Sequence, residues 1–127
     1  MKQPFKLSFF LFFALFASIK TYSYDFEVDG IYYGYNSDSQ TAYVTSGDQQ
    51  YSGSVIIPAS VTFNGRTLKV VGIADRAFYG NCNLISVLVP EGVTSIGDAA
   101  FWGCSSLTSI SLPKGTIYLL AVTYNSV

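Results

Sequence analysis

The sequence has no histidine in its 127 residues. That removes the commonest general base, the commonest zinc ligand, and every nucleophile pair in which an imidazole activates a serine or cysteine. Charge is scarce too: seven Lys and Arg stand against eight Asp and Glu, 12% of the chain. Three of the cations, Lys2, Lys6 and Lys20, lie in the first 20 residues. Beyond them only Arg66, Lys69, Arg76 and Lys114 oppose all eight acids, 4 minus 8, or −4. With no basic patch to hold phosphates, a nucleic-acid partner is excluded. Only two cysteines occur, Cys82 and Cys104. Without histidine they make a poor metal site and lack the base a catalytic thiol needs, so no metal or other cofactor is expected.

What is present begins with "MKQPFKLSFFLFFALFASIKTYS" (1–23), two early lysines followed by an apolar run from Leu7 to about Ile19. A bilayer-spanning helix takes about 20 apolar residues, and this run is shorter. It reads as an export signal cleaved after Ser23, and no cysteine follows that would carry a lipid. The expectation is a secreted, cell-surface or periplasmic chain, 24–127, that is not a lipoprotein and has no membrane segment once the signal is removed. Its 127 − 23 = 104 residues suit one small domain.

The phrase "ADRAFYGNCNL" (74–84) returns as "GDAAFWGCSSL" (97–107), 23 positions later. The same shift lays Leu84 over Leu107, Val87 over Ile110, Val89 over Leu112 and Pro90 over Pro113. Upstream, "SVIIP" (54–58) supplies an earlier strand and proline. The separation from Pro58 to Ile73 is 15, against 6 from Pro90 to Ile96. The nine extra residues fall in "VTFNGRTLKV" (61–70), two β-prone runs around Asn64-Gly65, which is a hairpin signal.

A period of 20 to 29 residues with the form L-x-x-L-x-L marks a leucine-rich repeat solenoid. The expected fold has about three coils, with a parallel sheet on one face and short helical turns or loops on the other. Its units are 52–83 with the hairpin insertion, 84–106, and a degenerate 107–127. Residues 24–51 form an N-terminal β-hairpin cap. Leu84, Val87 and Val89, then Leu107, Ile110 and Leu112, face inward from strands stacked ~4.8 Å apart, and Ile96 returns to the core. Asp75 and Asp98 stand where a carboxylate caps the first N–H groups of a short helical turn. Phe78 and Phe101 stack beneath those turns, and Gly80 and Gly103 end them.

The pattern L-x-x-h-x-h-P-x-G-h-x-x-I-G-x-x-A-F-x-G-C, with h apolar, resembles the BspA-type leucine-rich repeats of bacterial surface proteins. "YDFEVDGIYY" (24–33) resembles the start of the mature chain in many such proteins of the Bacteroides group. The likeness covers about 24–113. It implies an exported, non-enzymatic protein whose relatives adhere to host proteins or other cells, and hence a host matrix or cell-surface protein as partner. Many relatives carry long arrays, whereas about three units are read here.

Seven of the ten tyrosines lie between 22 and 51. Tyr32, Tyr33 and Tyr35, with Arg66 and Lys69 of the insertion, are the candidate partner-binding residues, since aromatics offer large contact area at little entropic loss. Tyrosine also suits half-buried strands, so packing is preferred to a binding platform for these rings, and a carbohydrate-binding module is a distant alternative. The outward residues of the sheet, Ser86, Leu88, Ser109 and Ser111, make a flat uncharged face. Asp25, Glu27 and Asp29 alternate as on a solvated edge strand, an arrangement preferred over a calcium site. Cys82 and Cys104 are 22 apart, one short of the period. A disulfide is geometrically permitted, but the offset favours two core thiols. The apolar "TIYLLAVTY" (116–124) leaves self-association through the C-terminal end as an alternative function.

Overall fold

The computed structural model describes residues 24–113. Residues 1–23, to which the export-signal reading belongs, and 114–127, to which the self-association reading belongs, lie outside the described residues. The described residues hold nine strands: β1 (Phe26–Val28), β2 (Ile31–Asn36), β3 (Thr41–Thr45), β4 (Gly53–Ile56), β5 (Ser60–Phe63), β6 (Arg66–Ile73), β7 (Leu84–Leu88), β8 (Ser95–Ile96) and β9 (Ser109–Ser111). One sheet runs β1-β2-β3-β6-β5 with β8 also on β6, and a second runs β4-β7-β9.

The 23-residue period becomes geometry in both sheets. Val55, Val87 and Ile110 stand side by side across β4, β7 and β9, and Val44, Ile73 and Ile96 do so across β3, β6 and β8, all in parallel pairings. A third side of each coil, residues 74–80 and 97–103, links its neighbour through backbone bonds. The N–H groups of Arg76, Phe78 and Gly80 donate to the carbonyls of Asp98, Ala100 and Trp102 at 3.0, 2.8 and 2.8 Å. Those between, of Ala77, Tyr79 and Asn81, donate back within their own coil to Ala74, Arg76 and Phe78, each at 3.2 Å.

That alternation corrects the expectation of a short helical turn. A helix sends successive N–H groups along its own axis, whereas here every second one crosses to the next coil. The chain allows this by taking left-handed φ at Arg76 (56°), Gly80 (71°), Ala99 (55°) and Gly103 (80°). Asp75 therefore caps no helix. Its Oδ1 accepts the Asp98 N–H at 2.8 Å, a bond between coils. Asp98 likewise opens a run of turns, and it is exposed.

Residues 24–51 also differ from the single hairpin expected. Asp29 and Gly30 (φ 52° and 82°) turn the chain between β1 and β2, so that 24–33 folds on itself. β2 then pairs antiparallel with β3, and β3 runs parallel to β6, joining this meander to the repeats. In the insertion, Asn64 and Gly65 (φ 51° and 76°) close a two-residue hairpin between β5 and β6, as their sequence signals. The first half of β6 pairs with β5 and its end with β8.

Leu84, Val87, Val89, Ile96 and Leu107 are buried, while Ile110 and Leu112 are partly buried against the same core. Phe78 and Phe101 have no exposed surface and stack at 5.2 Å between centroids, 7° from parallel. Tyr51 extends this column from above Phe78 at 4.6 Å. A second aromatic column, Phe63, Phe26 and Tyr33, has spacings of 4.1 and 5.3 Å.

Burial, and then the Asp29 charge, raise the Tyr33 phenol from its ordinary 10.0 to about 12. Burial likewise pushes Tyr51 well above the usual tyrosine range. A folded-state value raised above the unfolded one gives stability that is complete below the unfolded value and lost as pH rises through the folded one. The melting temperature is expected to hold steady up to about pH 10 and fall steeply through about pH 12. Tyr33→Phe is expected to flatten part of that fall. Melts followed by circular dichroism from pH 8 upward check this, and a decline starting below about pH 9 would contradict it.

Candidate protein-interaction surface

Strand alternation sends Val55, Val87 and Ile110 inward and leaves two rows facing out: Ser54, Ser86 and Ser109, then Ile56, Leu88 and Ser111. Ser86 Oγ donates to Ser54 Oγ at 2.8 Å across the first row. The second row is apolar, with Ile56 68% and Leu88 47% exposed. Ile85, 48% exposed, joins them for a local reason. Gly53 pairs with Leu84 and Ser54 with Ser86, so Ile85 is an extra residue whose side chain is pushed outward. The sequence reading found Ser86, Leu88, Ser109 and Ser111 and missed Ser54, Ile56 and Ile85. Carrying the strand parity back into "SVIIP" would have found Ile56. A bulge has no such signal.

Beside this face a hollow of about 840 Å³ opens between the β1–β2 turn, residues 49–52, and β4 with β5. Its lining includes Glu27, Asp29, Ile31, Val55 and Val61. A smaller cleft, about 270 Å³, lies at the insertion between Tyr35, Phe63, Asn64, Arg66 and Leu68.

The five residues singled out for partner binding are dispersed. Tyr32 and Tyr33 are buried, which removes them from the candidate partner-binding residues and agrees with the packing reading. Tyr32 lies across Gly47, edge-on to Tyr24 and Tyr51, and its hydroxyl accepts the Gln49 N–H at 3.1 Å. Tyr33 belongs to the second aromatic column. Tyr35 is half-buried and shares the smaller cleft with exposed Arg66. Lys69 is exposed on β6 and lines neither hollow.

Asp25 and Glu27 accept backbone N–H groups of β2 and of the β1–β2 turn. Asp25 Oδ2 accepts the Tyr35 N–H at 2.7 Å, and Glu27 Oε2 accepts the Gly30 N–H at 2.5 Å. No cluster of three metal-ligating side chains occurs among the described residues.

Both cysteines are free, but only one is in the core. Cys104 is buried, its Sγ donates to the Phe78 carbonyl at 2.9 Å, and burial raises its thiol pKa. The residue beneath it, one full period earlier, is Asn81. Cys82 follows Asn81 in the chain and is exposed, which corrects its reading as a core thiol. Sequence reasoning passed over Asn81, a buried amide whose Oδ1 accepts the Tyr51 N–H at 2.7 Å and so ties the N-terminal segment to the first coil.

Residues 54–125 match the model of the BspA type leucine rich repeat region, six copies. The chain belongs to the BspA-type leucine-rich repeat family. The resemblance seen in its sequence is borne out. Among solved structures, this BspA-type chain is similar to a leucine-rich repeat protein of Bacteroides ovatus, with 32% identity and a TM-score of 0.68 over 73% of this chain and 24% of that one. A leucine-rich repeat protein of Bacteroides capillosus is 36% identical, with a TM-score of 0.62 over 69% of this chain and 64% of that one. A leucine rich cell surface protein of Faecalibacterium prausnitzii is 29% identical, with a TM-score of 0.56 over 77% and 25%. The BspA-type chain thus spans about a quarter of the length of the first and third of these. No curated protein matches it. Protein interaction is the general role of such repeats.

Proposed function

We propose that this BspA-type chain is an exported, non-enzymatic protein-binding module of the bacterial surface, with adhesion to a host matrix or cell-surface protein as its role. The observation that carries the reading is the uncharged outward face of β4-β7-β9, where Ile56, Ile85 and Leu88 stand exposed beside a row of serines. Apolar side chains flanked by neutral hydroxyls suit a desolvated protein contact. Export is supported by the pattern of residues 1–23 and by likeness to a protein named for the cell surface. The absence of histidine supports a binding role over catalysis.

Size bounds the mode of binding. A stable interface takes about 800 Å² from each partner, and three short strands offer less. The partner therefore also covers the neighbouring N-terminal meander, which in this reading caps the first coil.

The test is binding to an array of immobilised matrix proteins and glycans by the full chain and by an Ile85→Asp/Leu88→Asp double variant. Both substitutions fall on exposed side chains. Binding to a protein is expected, and the double variant should weaken it at least about tenfold with its circular dichroism unchanged. Retention of glycans alone, or equal binding by the variant, would rule out this face.

A further inference from the structure

We propose that the hollow beside β4 takes an extended peptide segment bearing lysine or arginine, which adds to β4 as a further strand. The inference rests on the reading of the chain as a protein-binding module and names the kind of partner segment it holds. Among the described residues β4 is an edge: it pairs with β7 on one side and with no strand on the other. The N–H groups of Gly53 and Ile57 donate toward β7, to the carbonyls of Asn83 and Leu88 at 2.9 and 3.0 Å. Alternation along the strand then turns the peptide groups of Ser54 and Ile56 to the opposite edge, where the hollow lies. An unpaired edge of this kind is a template for another strand, and natural edges are commonly blunted by proline, by an inward charge or by a covering loop. β4, with sequence GSVI, carries neither proline nor charge.

The space is sufficient and its chemistry selective. A volume of about 840 Å³ lies within the range of built ligand sites, and four strand residues extend about 13 Å. At Gly30 on the rim and Gly53 at the start of β4, an added Cβ would meet no atom within 4 Å. Ile31, Val55 and Val61 give the lining an apolar part. Among the described residues that line it, Glu27 and Asp29 supply the only charges, both negative, with no Lys or Arg. An incoming strand therefore places apolar side chains over Val55 and Val61 and a cation toward the β1–β2 turn. Main-chain bonds to Ser54 and Ile56 supply affinity, and the charge sets specificity.

The experiment uses the full chain and fluorescein-labelled heptapeptides that alternate valine and threonine, read by fluorescence anisotropy. A peptide with lysine at both ends is expected to bind at least about tenfold more tightly than the same peptide ending in glutamate. N-methylation of the alternate amides that face β4 is expected to abolish binding, because it removes the donors without changing charge. Glu27→Gln/Asp29→Asn should weaken the lysine peptide about threefold to tenfold. Trp102→Ser, exposed on the third side of the coil and outside the lining of the hollow, should bind the peptide within about twofold of the unchanged chain. Equal binding of the lysine and glutamate peptides, or indifference to N-methylation, overturns strand addition. So does a chain that sediments as a dimer and leaves the lysine peptide unbound, which assigns the hollow to a second copy. If matrix binding persists while the peptide fails, strand addition alone falls. If both fail, the binding-module reading falls with it.

Discussion

Phe78→Ala is expected to destabilise the protein by about 4 kcal/mol and lower its melting temperature by some 15 to 30 °C, where it folds at all. Phe78 has no exposed surface and sits mid-column, with Tyr51 on one face and Phe101 on the other. Truncating it empties a space that neither neighbour can fill, because both rings are held by their own coils. The loss is a large share of the roughly 5 to 15 kcal/mol that a domain possesses. Phe78→Leu keeps most of the apolar volume and should cost about half as much or less. Thermal and urea melts of the two variants measure this directly. A loss under about 1.5 kcal/mol for alanine would show that the column is not the seam of the core.

Gly97→Ala is expected to be nearly as damaging, at about 3 kcal/mol, although it adds only one methyl group. A Cβ at this position overlaps the Asp75 backbone nitrogen and its Oδ1. The two coils cannot then keep their separation. The Asp98 N–H bond to Asp75 and the Arg76 N–H bond to Asp98 are lost together. One period earlier the chain has Ala74. The demand for glycine thus comes from the preceding coil passing over position 97 and not from the repeat position itself. Ala74→Gly should accordingly cost about 1 kcal/mol or less, and equal losses for the two substitutions would contradict the account.

Much of this architecture was legible in the sequence, for one physical reason. Stacked coils must present the same apolar edge, so Leu84, Val87 and Ile96 and their equivalents recur at a spacing that any reader can measure. Asn64-Gly65 was legible because few pairs accept two left-handed φ values in succession. Asp29-Gly30 carried the same signal, and the alternation of the residues around it concealed the turn.

What stayed hidden depended on neighbours distant in the chain. Tyr32 and Tyr33 have the composition of a contact surface, and only the packing of β1 and the 47–51 segment over them buries both. The turns at 75–80 look helical in sequence, since a capping acid precedes them and glycine follows. The competing acceptors belong to the next coil, and a local reading does not include them. Cys82 and Cys104 drew attention as a pair, yet the repeat pairs Cys104 with Asn81, and one residue of offset separates a buried thiol from an exposed one. The candidate surface was the least legible part, because Ile85 owes its exposure to an irregularity in pairing.

The bonds across the third side of the coil have a consequence for how such proteins vary. Arg76, Phe78 and Gly80 give their N–H groups to the coil ahead, and the donors between them close turns at home. The two coils so joined are related by a translation along the axis and not by a rotation that closes. Growth by translation has no built-in stopping point. Duplication of one 23-residue unit inserts a coil without remaking either neighbour, and deletion removes one as cleanly. Length becomes a quantity that evolution can tune separately from shape, which accords with a shared fold between this chain and a relative of which it spans 24%.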